Sequence, residues 1–202
     1  MTSETTVHVI DDDEAVRDSL AFLLEAADLT VRTYESAVTF LEQASGIEGG
    51  CIVTDIRMPE MTGLDLVRHL NDRGSSLPVI VITGHGDVPL AVEAMRAGVV
   101  DFIEKPFNEE VMLSALRRAL DLSRNHAEEA SERREIAGRL AKLSMRERQV
   151  LDGLVAGQAN KVVAQNLGIS PRTVEVYRAN LMTKMKASSL SELVRMTLNA
   201  DR

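Results

Sequence analysis

The chain contains a single cysteine, Cys51, among its 202 residues. It therefore cannot form an intrachain disulfide, and its place at the start of the apolar run CIVT indicates a small buried hydrophobe rather than a nucleophile. No apolar stretch approaches the roughly 20 residues that a membrane-spanning helix needs. The first residues, MTSETT, lack the basic, apolar start of a signal peptide. These absences predict a cytoplasmic protein without a membrane partner.

Charge is distributed unevenly along the chain, although the formal net charge is only −8. Residues 1–120 contain 9 basic and 21 acidic side chains, whereas residues 139–202 contain 11 basic and 5 acidic side chains. An acidic first part joined to a basic second part indicates two domains, and the basic one is suited to a polyanion.

Hydrophobic patterning also divides the chain into two parts. Over the first 120 residues, helix-like stretches alternate with strand-like runs, which are VHVI (7–10), LTVRTY (29–34), CIVT (51–54), VIVIT (79–83) and DFIE (101–104). This alternation predicts an α/β fold with a doubly wound, five-stranded parallel sheet. From residue 144 the pattern is helical: Ser144 and Ser189 begin capping boxes, Gly168 ends a short helix, and Pro171 opens a longer one.

These patterns give three predicted segments. The α/β domain occupies residues 1–122, a helical linker residues 123–139, and an all-α domain residues 140–202. The linker is charged, favours helix and lacks proline, so we expect it to continue the fifth helix. A flexible tether is the alternative.

Polar side chains follow four of the predicted strands. They are Asp11, Asp12 and Asp13 after the first strand, Asp55 after the third, Thr83 at the end of the fourth and Lys105 after the fifth. Ligands of open parallel sheets bind beyond the carboxyl ends of the strands, so these side chains are expected in one pocket. Grouped carboxylates repel one another unless a cation offsets their charge. Oxygen donors without Cys or His favour Mg²⁺ (or Mn²⁺) over zinc.

In this combination, residues 5–122 resemble the receiver domains of two-component response regulators. The matching elements are VIDDDE, VTDIRMPEMTG, VITGHGD and EKPF, in order at strand ends. The resemblance implies that Asp55 accepts a phosphoryl group from a sensor histidine kinase. It also implies that Mg²⁺ is held by Asp11, Asp12, Asp55 and the carbonyl oxygen of Arg57, with Asp13 facing solvent.

The same resemblance implies roles for three residues near the last two strands. Lys105 would pair with the phosphoryl group, Thr83 would turn its hydroxyl toward it, and Phe102 would swing inward. The surface of the fourth helix and fifth strand would then pair with a second receiver. Charge-assisted hydrogen bonds of about 1.5–3 kcal/mol each are enough to shift such a two-state equilibrium. The structural alternatives are a strand cap for Thr83, ordinary core for Phe102 and a surface lysine for Lys105.

The basic part contains a short helix, a glycine turn and a longer helix in NKVVAQNLGISPRTVEVYRANLMTKMKA. This spacing is typical of a helix-turn-helix, whose second helix enters the major groove of DNA. On that helix Val174, Tyr177, Leu181 and Met185 recur at the spacing of a core face. The side chains expected at DNA are Lys161, Arg172, Thr173, Glu175, Val176, Arg178, Asn180 and Lys184, with Lys161, Lys184 and Lys186 as phosphate contacts. Each charge alone is equally compatible with a solvated helix face.

The stretch LSMRERQVLDGLVAGQANKVVAQNLGISPRTVEVYRANLMTKM resembles the four-helix DNA-binding domain of the LuxR, NarL and FixJ family. Many relatives have Lys and His where this chain has Glu175 and Tyr177, which affects the target sequence rather than the fold. The layout is most similar to the FixJ branch, and this likeness implies an activator of nitrogen-fixation genes. In this family the last helix, about Leu190–Leu198, carries dimerisation. Val194 and Leu198 are candidates for it, although either fits a core position equally well.

Together these observations predict a transcription factor without enzymatic activity of its own, switched by phosphorylation of Asp55 and dimeric when phosphorylated. Its expected partners are a sensor histidine kinase, promoter double-stranded DNA and RNA polymerase. One alternative is a Mg²⁺-dependent phosphatase with an aspartyl nucleophile at Asp11 or Asp13, although its late acidic pair is not evident. The other is an RNA-binding antiterminator with a receiver in front, which the Ser170-Pro171 helix start disfavours. The absence of a GxxxxGK[ST] motif excludes an ATP-driven activator.

Overall fold

A computed structural model of the chain describes residues 6–44, 46–47, 49–84 and 88–200. Residues 1–5, most of the stretch inspected for a signal peptide, lie outside the described residues. The strands of the described part are β1 (Thr6–Ile10), β2 (Thr30–Tyr34), β3 (Cys51–Asp55), β4 (Val79–Thr83) and β5 (Asp101–Glu104). Its helices are α1 (Glu14–Ala26), α2 (Ala37–Gln43), α3 (Gly63–Asp72), α4 (Val88–Arg96), α5 (Glu109–Ala141), α6 (Met145–Val155), α7 (Asn160–Leu167), α8 (Pro171–Met185) and α9 (Leu190–Ala200). The chain divides into two compact units, Met1–Ala127 and Glu128–Arg202.

The first unit is built on a five-stranded sheet in the order β2-β1-β3-β4-β5, and every pair of neighbouring strands is parallel. The predicted α/β fold is therefore confirmed. All five positions of β3 and of β4 are buried. Their apolar runs follow from this burial, because helices cover both faces of the sheet in a doubly wound fold.

Each face of the sheet has its own hydrophobic cluster, because successive side chains of a strand point to opposite faces. Ile52 lies in the cluster with Phe40 and Leu66, from α2 and α3. Cys51 lies in the other cluster, which includes residues of α1 and α5. Burial raises the pKa of the Cys51 thiol to about 12, so this cysteine behaves as the predicted buried hydrophobe and not as a thiolate nucleophile.

The second unit is helical, and the end of α5 contributes to its core. Ile136 and Leu140 of α5 are buried in one cluster with residues of α6, α7, α8 and α9. The predicted core face of α8 is confirmed: Val174, Leu181 and Met185 are buried and Tyr177 is half-buried. Helix α5 runs through residues 123–139, which were predicted as the linker. Within the described ranges, no helix combines the length and apolar character needed to cross a lipid bilayer.

Capping residues set the limits of the helices in the second unit. Ser144 and Glu147 form the predicted capping box of α6, and Ser170 caps α8 with Pro171 at its first position. The second predicted capping box, at Ser189 and Glu192, is only half formed, because the Glu192 side chain does not bond back to the backbone N–H of Ser189. The hydroxyl of Ser189 accepts from the N–H of Glu192 at 3.1 Å, as expected, but the Glu192 carboxylate accepts from Ser188. Ser188 offers this carboxylate both its backbone N–H and its hydroxyl, and so attracts it away from Ser189.

Candidate functional site

The candidate site lies at the carboxyl ends of the strands, where the strand order reverses between β1 and β3. Asp11 directly follows β1 and Asp55 is the last residue of β3. Thr83 ends β4, and Lys105 follows β5. Parallel strands bring these residues to the same edge of the sheet although 94 positions separate Asp11 from Lys105.

The ammonium group of Lys105 joins the two carboxylates. Its Nζ lies 2.8 Å from Oδ2 of Asp11 and 2.8 Å from Oδ1 of Asp55. The Asp11 and Asp55 side chains are 2% and 9% exposed, so both carboxylates are withdrawn from bulk solvent. Two buried acids next to each other require such a cation, because an unpaired charge in the protein interior lowers stability by roughly several kcal/mol.

The surroundings shift the pKa values of Asp11 and Lys105. Burial is the largest influence on Asp11 and raises the pKa of its carboxyl, while the hydrogen bond from Lys105 partly opposes that rise. Burial also disfavours the charge of Lys105, but its hydrogen bonds to Asp11 and Asp55 outweigh this and raise the pKa of the ammonium group. Lys105 therefore keeps its proton, and its charge, at neutral pH.

The remaining residues of the predicted magnesium site lie beside this pair. Asp12 is exposed, and so is Arg57, whose backbone N–H donates to Oδ2 of Asp55 at 2.5 Å. Asp13 is exposed as expected, but it also has a structural role that the sequence reading missed. Its carboxylate accepts from the N–H groups of Ala15 and Val16 and thereby caps α1.

The donor set at this edge fits a hard cation. The described part of the chain holds no group of three acidic, His or Cys side chains already placed to bind a metal together. Asp11 and Asp55 nevertheless share one cationic partner, the Lys105 ammonium, and Asp12 adds a solvent-facing carboxylate one residue away. Carboxylate and carbonyl oxygens are the ligands that Mg²⁺ prefers in proteins.

Thr83 is the last residue of β4, whereas Phe102 is the second residue of β5 and lies level with Val81 of β4. Thr83 is fully buried, and its carbonyl oxygen accepts from the backbone N–H of Lys105 at 2.7 Å. Phe102 is half-buried and packs against the cluster of α2, α3 and α4. The peptide bond between Lys105 and Pro106 is cis.

Two further residues contact the backbone on which Asp11 and Asp55 stand. The side chain of Arg17 donates to the carbonyl oxygens of Asp11 and Asp12. A Cβ atom on Gly63 would lie 2.2 Å from the carbonyl oxygen of Asp55, because the loop after β3 folds back onto the strand. The glycine in VTDIRMPEMTG was a visible signal for this close approach. For Arg17 the only signal is its position four residues after the cap of α1.

In the second unit, α8 presents most of the residues predicted to contact DNA. Arg172, Glu175, Val176, Asn180 and Lys184 are exposed. Lys161 is exposed on α7, whereas Thr173 and Arg178 are half-buried. The exposed stripe opposite the core face of α8 is the surface that a recognition helix offers to a major groove.

Three of these predicted contacts have partners within the unit. The hydroxyl groups of Thr173 and Ser170 are hydrogen-bonded at 2.8 Å at the start of α8. Lys184 donates to Glu147 at 2.8 Å, and Lys186 lies 3.9 Å from Glu135. The hydrogen bonds from Lys184 and from the N–H of Ser144 lower the pKa of Glu147 to about 2. Sequence spacing could not show the Lys184–Glu147 contact, which joins residues 37 positions apart.

Comparison with known proteins identifies both units. Residues 7–117 match the family model of the response regulator receiver domain, and residues 141–197 match that of the bacterial regulatory proteins of the luxR family. The chain belongs to the response regulators with a LuxR-type DNA-binding domain. A receiver domain implies a sensor kinase as partner, and receiver domains generally use Mg²⁺ in phosphorylation.

Individual response regulators are similar to this one over nearly its whole length. The transcriptional regulatory protein FixJ of Azorhizobium caulinodans is 58% identical over 99% of this chain and 95% of that protein. The crystal structure of full-length FixJ from B. japonicum is 48% identical, with a TM-score of 0.60 over 99% of this chain and 98% of that one. The structure of the response regulator StyR is 38% identical, with a TM-score of 0.83 over 97% and 99% of the two chains.

Proposed function

We propose that this response regulator is a cytoplasmic transcription activator of the FixJ type, switched when a sensor histidine kinase phosphorylates Asp55. One observation carries the proposal: the Asp55 carboxylate shares the Lys105 ammonium with Asp11 at the switch point of the sheet. A phosphoryl group added there meets a fixed positive charge. The assignment of Asp55 as the acceptor also fits its position at the end of β3, between the other predicted site residues.

In the proposed reaction an oxygen of Asp55 bonds to the phosphorus of the kinase phosphohistidine while the P–N bond breaks. The electron pair of that bond stays on the imidazole nitrogen, so the phosphoryl group passes intact between the two side chains. Lys105 then pairs with a phosphoryl oxygen through its ammonium group. When bound, Mg²⁺ supplies further neutralisation of phosphoryl charge, and Asp11, Asp12, Asp55 and the carbonyl oxygen of Arg57 are the residues that would hold it.

The proposed switch runs from the site to the surface of α4 and β5. The Thr83 hydroxyl turns to the phosphoryl group and Phe102 moves further inward. Helix α4 carries an exposed apolar stripe at helical spacing, formed by Val88, Val92 and Met95 at 76%, 43% and 53% exposure. We propose that this stripe, with β5, pairs with a second phosphorylated copy. Reversing a 1:99 equilibrium requires about 5.5 kcal/mol, which two or three charge-assisted hydrogen bonds supply.

Dimerisation then places two DNA-reading helices on two half-sites. On α8 we propose base contacts for Arg172, Glu175, Val176 and Asn180, because these side chains are exposed on one face. Arg178 and Thr173 flank that face, and Lys161 is the proposed phosphate contact, whereas Lys184 is already engaged by Glu147. RNA polymerase is the proposed partner at the promoter, and nitrogen-fixation genes are the proposed targets on the strength of the likeness to FixJ.

The switch is tested with acetyl phosphate and Mg²⁺ on the full chain, using Asp55→Asn as the matched control. We expect one phosphoryl group per wild-type chain by intact mass and a larger dimer fraction by analytical ultracentrifugation. Asp55→Asn should show neither change. An unaltered dimer fraction after confirmed phosphorylation would contradict the switch. Turnover of a general phosphatase substrate that survives Asp55→Asn would instead favour the phosphatase.

The DNA function is tested by selecting bound sequences from a random pool of double-stranded DNA, with and without the phosphodonor. We expect an enriched site with two half-sites only in the phosphorylated sample. Transcription from a promoter carrying that site, with purified RNA polymerase, should then rise with phosphorylation; a fall would identify a repressor. Displacement of the selected DNA by structured RNA at equal concentration would favour the antiterminator.

A further inference from the structure

A side chain outside the predicted set contacts the acidic loop directly. Nη1 of Arg17 lies 2.8 Å from the carbonyl oxygen of Asp11 and 3.1 Å from that of Asp12. Arg17 stands near the start of α1, and its backbone N–H donates to the carbonyl oxygen of Asp13 at 3.0 Å. The guanidinium group of the half-buried Arg17 thus bridges two successive carbonyl groups of the loop between β1 and α1.

The rest of this loop is fixed at Asp11 but not at Asp12. The N–H of Asp11 donates to the carbonyl oxygen of Tyr34, and both of its carboxylate oxygens accept hydrogen bonds, from Asp13 and from Lys105. Asp12 is exposed. Among the contacts of the described residues, the bond from Arg17 to its carbonyl oxygen is the polar contact that holds Asp12. The backbone that carries the Asp12 carboxylate therefore depends on Arg17.

We propose that Arg17 is a positioning residue of the acidic site, which holds the Asp11–Asp12 backbone so that the Asp12 carboxylate is preorganised for a divalent cation. This inference rests on the proposed function, because it deepens the account of the same site. Arg17 does not touch the cation. It acts through two carbonyl groups, as outer-shell partners of metal ligands do.

The charge of Arg17 and its hydrogen bonds have opposite effects on a bound cation, so the two can be separated. A positive charge near the loop on its own repels a cation, and its removal would strengthen cation binding. Loss of the two hydrogen bonds releases the Asp12 backbone and weakens cation binding, by about tenfold if Arg17 behaves like other outer-shell partners. Lysine retains the charge, but its side chain is one bond shorter and lacks the planar guanidinium fork.

The test measures binding of Mn²⁺, as a probe for Mg²⁺, to the unphosphorylated full chain by electron paramagnetic resonance of the free ion. The variants are Arg17→Ala and Arg17→Lys, with Arg73→Ala as control. Arg73 is an exposed arginine at the end of α3, so its removal changes the net charge equally. Thermal unfolding without metal reports separately on stability, and phosphorylation by acetyl phosphate is followed over a range of Mg²⁺ concentrations.

We expect both Arg17 variants to bind Mn²⁺ about tenfold more weakly than the wild type, and Arg73→Ala to bind it equally. At saturating Mg²⁺ the phosphorylation rates of both Arg17 variants should lie within roughly threefold of the wild-type rate, because the acceptor Asp55 is intact. Wild-type affinity for Mn²⁺ in both Arg17 variants, or in Arg17→Lys alone, would overturn the proposal. Tighter binding of Mn²⁺ by Arg17→Ala would overturn it as well. If Arg17→Ala does not fold, Arg17→Lys decides. A wild-type chain that binds no Mn²⁺ overturns the proposed function as well.

Discussion

A single ammonium group holds the acidic residues of this response regulator in their unphosphorylated arrangement. Lys105 makes the same 2.8 Å contact with Asp11 and with Asp55. The proposed phosphorylation of Asp55 would replace its single charge by nearly two charges and three oxygen acceptors. In the proposed switch this stronger acceptor would compete with Asp11 for Lys105.

At Gly63, we expect Gly63→Ala to disturb the acceptor site. Its Cβ would lie 2.2 Å from the backbone oxygen of Asp55, so the end of β3 must shift. Overpacking of this kind costs about 1–3 kcal/mol. The variant should lose that much stability in urea denaturation and should take up phosphoryl groups more slowly from acetyl phosphate. Gly138→Ala is the matched control, because a Cβ there meets nothing within 4 Å and alanine favours the helix. Equal behaviour of the two variants would show that the loop adapts without cost.

His8 makes the stability of the first unit depend on pH. Burial, with a contribution from Arg32, lowers the pKa of His8 to about 4, and its Nδ1 is hydrogen-bonded to the Tyr34 hydroxyl at 3.0 Å. Below the ordinary pKa near 6.5, His8 is protonated in the unfolded chain but stays neutral in the folded chain until the pH approaches 4. Stability is therefore lost as the pH falls from about 6.5 to about 4, by roughly 1.4 kcal/mol per pH unit. Urea denaturation across this range should show a flatter profile for His8→Gln; parallel profiles would refute the assignment.

At the scale of the helices, the contact between Lys184 and Glu147 ties the end of α8 to the start of α6. Glu147 is buried and its carboxylate also accepts from the N–H of Ser144. We expect Lys184→Ala to lower the free energy of unfolding of the second unit by about 1 kcal/mol, since the pair is only partly shielded from solvent. The salt dependence of DNA binding should stay unchanged, because Lys184 is already engaged.

Lys161→Ala is the matched control for that prediction. Lys161 is exposed and has no ion pair among the described residues. This variant should keep its stability. A plot of the logarithm of its DNA-binding constant against the logarithm of the salt concentration should have a slope smaller by about 1, as expected for the loss of one phosphate contact. A lower slope for Lys184→Ala, without loss of stability, would return Lys184 to the DNA interface.

The sequence allowed accurate prediction of elements whose signals are local. The predicted strands differ from the observed ones by at most one residue at either end, because buried parallel strands are short apolar runs with polar ends. Ser144, Gly168 and Pro171 marked helix ends through capping chemistry that acts over three or four residues. The capping box at Ser189 was half wrong because a neighbouring serine competes for the same carboxylate, and a sequence pattern does not rank competing donors.

The candidate site likewise contains contacts that could be predicted from the sequence and contacts that could not. Asp11, Asp55 and Lys105 could be predicted to meet because the topology of a parallel sheet gathers strand ends. The contact of Arg17 with the Asp11 and Asp12 carbonyl groups could not be predicted. A long side chain that reaches a backbone carbonyl group produces no characteristic residue spacing in the sequence. The Lys184–Glu147 contact was also missed, since it depends on how α6 and α8 pack. What the sequence predicts is which edge of the sheet is used, and the structure adds which groups support the residues there.

For the protein as a dimer, the proposed function requires that two copies meet through the apolar stripe of α4. Val92 lies in the middle of the stripe on α4, four residues after Val88 and three before Met95. In Val92→Asp, the pairing of two copies would bury two like charges near the contact. We expect the dimer of the phosphorylated protein to weaken at least tenfold, about 1.4 kcal/mol, while uptake of the phosphoryl group from acetyl phosphate stays unchanged.

Phe22→Asp is the matched control for the stripe, because Phe22 is an exposed apolar residue, at 77%, on a different helix of the same unit. It should dimerise as the wild type does. Linking two half-site contacts strengthens binding by about 10² to 10⁴ over one contact. Phosphorylated Val92→Asp should therefore bind a two-half-site DNA at least tenfold more weakly than the wild type, roughly in step with its weaker pairing, whereas Phe22→Asp should retain the full affinity. Equal loss in both variants would mean that an added charge, and not the α4 stripe, limits pairing, and equal retention would place the dimer contact on another surface.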